Sequence, residues 1–238
     1  MLMRSRSVPL LPLSPRQQLR AGRLPRRLTQ LVVGLMLYGA SMAMMIRGQL
    51  GQDPWDVFHY GVAAHVSLSI GTVVILTGVA VLLAWIPLRQ WPGLGTVANA
   101  VLIGVAADLT LAVLVTPGPL VGRIAMQLGG IALNGFASAL YIGSQLGPGP
   151  RDGLMTGLAR RTGLSIRLVR TSIELTVVLV GWLLGGVVGV GTVAYALLIG
   201  PIVQLLLPRL TVRLAHPDNR RVRKSTCADT DCSNIAPV

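Results

Sequence analysis

Long, nearly uninterrupted apolar runs dominate the middle of the chain. A helix needs about 20 apolar residues to cross a bilayer core of roughly 30 Å. In lipid such a run must be helical, because every backbone N–H and C=O group needs a partner within the segment. The pattern therefore predicts an all-α polytopic membrane protein with six transmembrane helices. The six runs are 28–46, 70–88, 94–115, 124–143, 171–190 and 192–210.

Composition and charge agree with this class. Only 12% of the residues are charged, about half the share in an ordinary soluble domain, which argues against a water-soluble enzyme. The net charge of +13 alone would fit a nucleic-acid binder, but many of the basic residues lie in the tails, 1–27 and 211–238. We interpret both tails as disordered cytoplasmic segments that attract anionic lipid, and we expect no binding to nucleic acid.

The sequence repeats itself at an offset of 96 residues without a gap. Residues 39–108 align with 135–204 and share 26 identities. The shared positions include a Pro-x-Asp motif that begins at Pro54 in the first copy and at Pro150 in the second. Apolar composition alone does not place such motifs in one register, so we infer a duplication.

Each copy would hold three spans, an odd number, so the second copy should be inverted relative to the first. We therefore predict two three-helix repeats, 28–115 and 116–210, with both termini in the cytoplasm. In this orientation 19 of the 21 basic residues lie on the cytoplasmic side, and only Arg47 and Arg123 lie on the other. That bias satisfies the positive-inside rule.

A less apolar segment follows the first span of each repeat, at 52–65 and 148–161. The stretch from Asp56 to Ser67 would measure about 18 Å as a helix, too short to cross the bilayer. We predict a short re-entrant or interfacial helix in each repeat. The residues expected to act as N-caps of the spans that follow are Ser69, Ser165, Thr96 and Thr192.

Several short motifs extend this interpretation. They are Gly51-x-x-Pro-Trp-Asp56, Pro92-Gly-Leu-Gly-Thr96, Gly147-x-Gly-Pro-Arg-Asp-Gly153, and Arg170-x-x-x-Glu174 followed by Gly185-Gly-x-x-Gly-x-Gly-Thr192. With them the chain resembles the YczE/YyaS/YitT group of bacterial integral membrane proteins, over nearly everything but the tails. The resemblance implies a multi-span protein of the bacterial inner membrane and assigns no catalytic residues. Members of the YitT branch carry a soluble C-terminal domain, so this chain looks closer to the YczE branch.

Polar residues within the apolar runs mark candidate sites, because ionisable groups in hydrocarbon are costly. For Glu174 the simpler alternative is an ion pair with Arg170, one helical turn earlier. For Asp108 it is a position closer to the outer interface, and for Asn99 and Asn134 it is hydrogen bonding that only holds helices together.

Asp56 and Asp152 are candidates because short Pro-containing segments in both halves mark the site of inverted-repeat transporters. Their alternative is a pair of interfacial turns that only cap the bundle. The candidate site for a substrate or coupling ion comprises Asp56, Asp152, Asn99, Asp108, Asn134 and Glu174.

These features favour a small-molecule or ion transporter of the permease type. The alternative is a non-transporting accessory or regulatory protein that docks a cytoplasmic partner or anionic lipid through Arg151, Arg160, Arg161 and the tails.

The glycine motifs that begin at Gly93 and Gly189 match the dinucleotide fingerprint literally, but neither follows a strand and both open membrane spans. Since the sequence has no nucleophile and base pair and no metal-ligand set, we expect neither an enzyme nor a bound cofactor or metal. A homodimer is compatible with repeats of this size. Cys227 and Cys232, both in the tail, imply no disulfide framework.

Overall fold

The computed structural model describes residues 15–214, and all regular structure within that range is α-helical. The tail cysteines, Cys227 and Cys232, lie outside the described residues. The nine described helices are α1 (Pro15–Arg20), α2 (Leu24–Gly48), α3 (Pro54–His65), α4 (Ile70–Trp85), α5 (Leu94–Val113), α6 (Leu120–Gly143), α7 (Pro150–Thr162), α8 (Ile166–Leu183) and α9 (Val190–Leu210).

Every predicted span corresponds to a helix, but not every helix is long and apolar enough to cross a bilayer. Helices α2, α5, α6 and α9 meet both requirements. Helices α3 and α4 meet them together, as a pair bent by 115° at a short break. Helix α8 has 18 residues and carries Arg167, Arg170 and Glu174. The all-helical fold with four or five candidate spans is therefore confirmed, and the count of six is not.

Helices α2 and α6 pack along each other at the centre of the bundle, with α5 against α2 and α9 against α6. Glycines allow the close approach. A Cβ atom added to Gly39 of α2 would overlap the carbonyl oxygen of Ile103 in α5. One added to Gly34 would lie 2.9 Å from the backbone nitrogen of Tyr141 in α6. Larger residues at these positions would force the helices apart.

The loops that follow α2 and α6 make matching contacts with distant helix starts. The carbonyl oxygen of Leu50 accepts a hydrogen bond from the N–H of Gly191 at the start of α9, at 2.7 Å. The equivalent carbonyl of Leu146 accepts one from the N–H of Gly95 at the start of α5, at 2.8 Å. The glycine after each leucine has a positive φ, 123° and 127°, a conformation that favours glycine. Each loop thus packs against a helix of the other sequence repeat.

Both predicted short helices are present as α3 and α7, and each has proline in its first turn. The hydroxyls of Ser69 and Ser165 accept the backbone N–H three residues on, which confirms these two N-caps. The prediction for Thr96 and Thr192 is wrong by three positions. Each lies inside its helix, and its hydroxyl accepts the N–H of the glycine three residues earlier, which is the N-cap.

The described residues extend into both segments that the sequence analysis interpreted as tails. Helix α1 and the start of α2 lie within 1–27, and Arg27 is fully buried. Its guanidinium donates hydrogen bonds to the carbonyl oxygens of Ser144 and Gln145, both at 2.7 Å. Arg27 therefore caps the C-terminal end of α6, where a cation is favoured. Val212 of the segment 211–238 is also buried.

Candidate functional site

A cavity of about 360 Å³ lies among the central helices, a volume at the small end of ligand pockets. Its wall receives residues from α2 to α9, including the first turns of both short helices. Apolar side chains form part of the wall, among them Val74, Ile103 and Val203. The ionisable side chains that reach it, tyrosines apart, are Asp53, His59, Arg151, Asp152, Arg170 and Glu174.

Arg151, in the first turn of α7, lies among acidic and aromatic groups of α3. Its Nη1 is 3.7 Å from Oδ2 of Asp53, and its Nη2 is 3.9 Å from Oδ1 of Asp56. The guanidinium carbon lies 4.8 Å from the centre of the Trp55 ring. Nδ1 of His59 is 3.3 Å from the same Asp56 oxygen. One guanidinium therefore serves two buried carboxylates and one aromatic face.

The local sequence explains this arrangement. Asp53 is the N-cap of α3, and its Oδ1 accepts the backbone N–H of Asp56 at 2.7 Å. Pro54 starts the helix, which its fixed φ favours. Among the described residues, Oδ2 of Asp56 and Nε1 of Trp55 have no hydrogen-bond partner although both atoms are buried. The cluster thus retains unused hydrogen-bonding capacity, which buried polar groups seldom do.

Asp152 faces the cavity from the first turn of α7. It is exposed to that space, and no basic side chain of the described residues lies within 4.0 Å of its carboxylate. Its Oδ2, the Nδ2 of Asn99 and the hydroxyl of Tyr141 surround Gly149, because a Cβ there would lie 3.3 to 3.6 Å from all three atoms. Asp152 therefore presents an accessible carboxylate within a polar patch.

Asn134 links three helices beside the cavity. Its Nδ2 donates to Oγ of Ser41 in α2 at 3.0 Å, and its Oδ1 accepts the hydroxyl of Tyr195 in α9 at 3.2 Å. Asn134 is fully buried, so it positions Tyr195, which lines the cavity.

Arg170 and Glu174 lie on the cavity side of α8. Nε of Arg170 is 2.8 Å from Oε1 of Glu174, and their side chains are 62% and 32% exposed. The structure thus places the two residues in the contact that the helical spacing suggested. Within residues 15–214 no three His, Cys, Asp or Glu side chains are grouped as metal ligands.

Burial shifts the titration of the charged groups near α7. Burial, together with the neighbouring Asp56 carboxylate, raises the pKa of Asp53 to about 6, although Arg151 opposes the shift. Asp152 is accessible only from the cavity, and desolvation by the surrounding protein raises the pKa of its carboxyl, against the opposing charges of Arg170 and Arg151. Burial alone would lower the pKa of Arg151, but Asp53 and Asp56 outweigh it and raise the pKa. The guanidinium stays charged, while Asp53 titrates closer to neutral pH than an exposed aspartate.

Asp108 is not part of this cavity. Its Oδ1 accepts the backbone N–H of Gly71 at 2.8 Å, and its Oδ2 accepts the hydroxyl of Ser69. Asp108 belongs to α5, but its carboxylate lies at the N-terminal end of α4, where the unpaired backbone N–H groups favour a negative charge. The structure therefore separates Asp108 from Asp56, Asp152, Asn99, Asn134 and Glu174, which lie in or beside the cavity.

Of the three arginines that the sequence suggested for docking a partner or lipid, Arg151 lies in the cavity wall. Its side chain turns toward the cavity because Asp53 and Asp56 attract it there. Arg160 and Arg161 stay exposed in the last turn of α7, and Arg161 donates to the carbonyl oxygen of Pro87 at 2.8 Å.

Asp53, Trp55 and the cavity tyrosines belong to the site although the sequence pattern did not predict them there. A signal for one pair was available, because Trp55 and Arg151 occupy equivalent positions at the offset of 96 residues. Residues at equivalent positions of inverted repeats can meet at the axis that relates the copies. The unlike chemistry of tryptophan and arginine concealed that pairing.

Comparison with protein families shows the family of the chain. The sequence model of DUF6198, a family of unknown function, matches residues 25–208. The chain belongs to DUF6198. All the cavity residues named above lie within residues 25–208, the part of the chain that the family model matches.

The relatives agree with the motif resemblance. An uncharacterized protein of Haemophilus influenzae is 42% identical over 186 residues, 78% of this chain and 85% of the relative. Two Bacillus subtilis proteins also match. The uncharacterized membrane protein YczE is 35% identical over 82% of this chain and 92% of its own length. The uncharacterized protein YyaS is 23% identical over 74% and 90%. The resemblance to the YczE and YyaS group is confirmed. No solved structure matches the chain.

Proposed function

We propose that this DUF6198 member is a small permease-like transporter of the bacterial inner membrane that binds its substrate or coupling ion in the central cavity. The observation that carries the proposal is the meeting of the two short helices, where Arg151 at the start of α7 lies between Asp53 and Asp56 at the start of α3. In transporters with inverted repeats, interrupted helices present their N-terminal ends to the substrate near the midplane.

The proposal includes the inverted arrangement of 28–115 and 116–210, with six spans and both termini in the cytoplasm. The exchanged loop contacts of Leu50 with α9 and Leu146 with α5 support it. In this arrangement α8 is the sixth span, although it carries charged residues. Arg170 pairs with Glu174 and faces the cavity, and ionisable groups within membranes usually face the protein interior and pair in this way.

We propose a binding set that differs in part from the one that the sequence suggests. Asp108 is not included, because its carboxylate accepts hydrogen bonds at the start of α4. The proposed residues are Asp56, Asp152, Asn99, Asn134 and Glu174 from the sequence, with Asp53, Arg151 and Arg170 added because they lie at the cavity.

Access to the cavity from both sides of the membrane tests transport without knowledge of the substrate. In a chain with both tail cysteines replaced by serine, Asn99→Cys or Ser138→Cys places one thiol in the cavity wall. A membrane-impermeant maleimide is applied to spheroplasts and, separately, to inside-out vesicles. Leu197→Cys, exposed on α9 outside the cavity lining, serves as the control.

A permease must expose its site to each side in turn, so we expect both cavity thiols to react in both preparations and Leu197→Cys in neither. Reaction from a single side, at both positions, would contradict transport. The inverted arrangement has its own test. A thiol at His65 should react only from outside and one at Arg161 only from inside, and reaction of both from one side would contradict inversion.

One observation supports the alternative function, that of a non-transporting accessory or regulatory protein. Arg160 and Arg161 are exposed at the end of α7. In the accessory role, these arginines dock a cytoplasmic partner or anionic lipid. Substitution of both by alanine should then reproduce the phenotype of a deletion strain, while Asp152→Asn and Glu174→Gln should not. Transport predicts the reverse pattern.

A further inference from the structure

The two sequence repeats differ where their last two helices meet. In the first repeat α4 packs closely against α5, and a Cβ added to Gly104 would overlap the carbonyl oxygen of Gly71. In the second repeat α8 and α9 lack comparable packing. Gly200, the equivalent of Gly104, has open space where a Cβ would lie. Arg167 stands in α8 where α4 has Gly71, so the close contact is sterically prevented.

This gap joins the cavity to the outer surface of the bundle. Arg170 and Glu174 on α8 line the cavity, and so do Tyr195, Ile199 and Gly200 on α9. Since the two helices do not close on each other, the wall is open between them. The outer surface beside the gap is apolar. Its exposed side chains include Leu175, Leu179, Val193 and Leu197.

Charge in and beside the cavity is unbalanced in favour of carboxylates. Arg151 already faces Asp53 and Asp56, and Arg170 already pairs with Glu174. The Asp152 carboxylate has no basic side chain of the described residues within 4.0 Å. A cationic ligand would restore the balance, and aromatic rings also favour cations. The aromatic side chains of the wall are Tyr38, Trp55, Tyr141 and Tyr195.

We propose that the cavity binds an amphipathic organic cation, whose charged head lies beside Asp152 and whose apolar chain enters from the bilayer between α8 and α9. The cavity of about 360 Å³ holds the head and the first carbons, and the rest of the chain lies in the gap. The proposal rests on the proposed function, since it names the substrate class of the same site.

Three probes separate the contributions of charge and chain. Octyltrimethylammonium carries both, tetramethylammonium has the same head without the chain, and octanesulfonate has the same chain with the opposite charge. Binding of radiolabelled octyltrimethylammonium to the full chain in nanodiscs gives the reference affinity. We expect tetramethylammonium to compete at least about tenfold less well, because it buries no methylene chain. We expect no competition from octanesulfonate.

Two substitutions test the two parts of the site. Asp152→Asn keeps the size of the side chain, and we expect it to weaken binding roughly tenfold or more by removing the charge. Gly200→Trp fills open space on α9, and we expect it to slow association several-fold. Leu205→Trp, exposed on another face of α9 outside the cavity lining, should leave the rate unchanged. Gly200→Leu fills the same space with a smaller side chain if the tryptophan variant does not fold.

Each other outcome overturns the inference in a different way. Equal binding of tetramethylammonium would show that the apolar chain and the gap play no part, while a water-soluble cation could still be the permease substrate. Preference for octanesulfonate would reverse the proposed charge. Cross-linking of two Gly200→Cys chains into a dimer would show that a second copy covers the gap. If no probe binds, the substrate class is wrong, and two-sided labelling at Asn99 still decides transport by itself.

Discussion

The guanidinium carbon of Arg151 lies 4.8 Å from the centre of the Trp55 ring, and the two residues hold equivalent positions in the sequence repeats. A position that carries an aromatic ring in one copy thus carries the cation that binds this ring in the other. The same arginine also lies 3.7 Å from Asp53 and 3.9 Å from Asp56. Divergence of one duplicated position has produced both partners of the central contact.

Loss of the Arg151 charge should destabilise the protein strongly. In Arg151→Met the carboxylates of Asp53 and Asp56 keep their burial and lose their shared cation. Removing one partner of a buried pair costs about 3 to 5 kcal/mol, so we expect a fall of that size in the free energy of unfolding, measured by denaturant titration in detergent. Arg160→Met, on the exposed part of the same helix, should change it by less than about 0.5 kcal/mol. Equal effects would contradict the central ion cluster.

The two equivalent glycines of α5 and α9 should respond differently to the same substitution. In Gly104→Ala the new Cβ would overlap the backbone of α4, which cannot give way easily. We expect a loss of at least about 2 kcal/mol, in the range of an overpacked core. Gly200→Ala meets nothing within 4 Å and should be neutral or slightly stabilising. Equal thermal stability of the two variants would mean that α4 and α5 are not closely packed.

Arg27 should matter for stability although it belongs to a run of basic residues. Arg27→Met removes charge-assisted hydrogen bonds to Ser144 and Gln145 at the end of α6. Such bonds contribute about 1.5 to 3 kcal/mol each, and we expect a clear fall in melting temperature. Arg26→Met is the matched control, because Arg26 is exposed. If both variants have the melting temperature of the wild type, Arg27 does not cap α6.

Binding of octyltrimethylammonium should weaken as pH falls. The probe keeps its charge at every pH, so only the protein titrates. Burial raises the pKa of Asp53 and that of Asp56 to about 6. Acidification from pH 7.5 to 5 therefore neutralises these two carboxylates while Arg151 stays charged. We expect the dissociation constant to rise several-fold over this range, and Asp53→Asn to flatten the curve. Tighter binding at pH 5 would be the opposite of what this site predicts.

The sequence predicted the helices better than it predicted the site. Apolar runs located every long helix, because burial in lipid depends on composition over some 20 residues. Prediction from the sequence failed where the position of a single side chain depends on contacts with residues far along the chain. Arg27 and Arg151 look alike in the sequence and resemble the exposed Arg160, yet both are held inside by carbonyl or carboxylate oxygens that lie far along the chain. The opposite error occurred at Asp108. The sequence suggested a role in the site, but its carboxylate accepts a hydrogen bond from the backbone at the start of α4.

The exchanged loop contacts have a consequence for the order in which the protein is made. Asp53 and Asp56 leave the ribosome and enter the bilayer nearly a hundred residues before Arg151, the cation that neutralises them. The start of α5 likewise waits for the carbonyl of Leu146. The first half of the chain therefore cannot reach its final packing before α7 has been made and inserted. Because the cavity wall includes residues of α7, α8 and α9, the cavity is complete only after the last helix is in place.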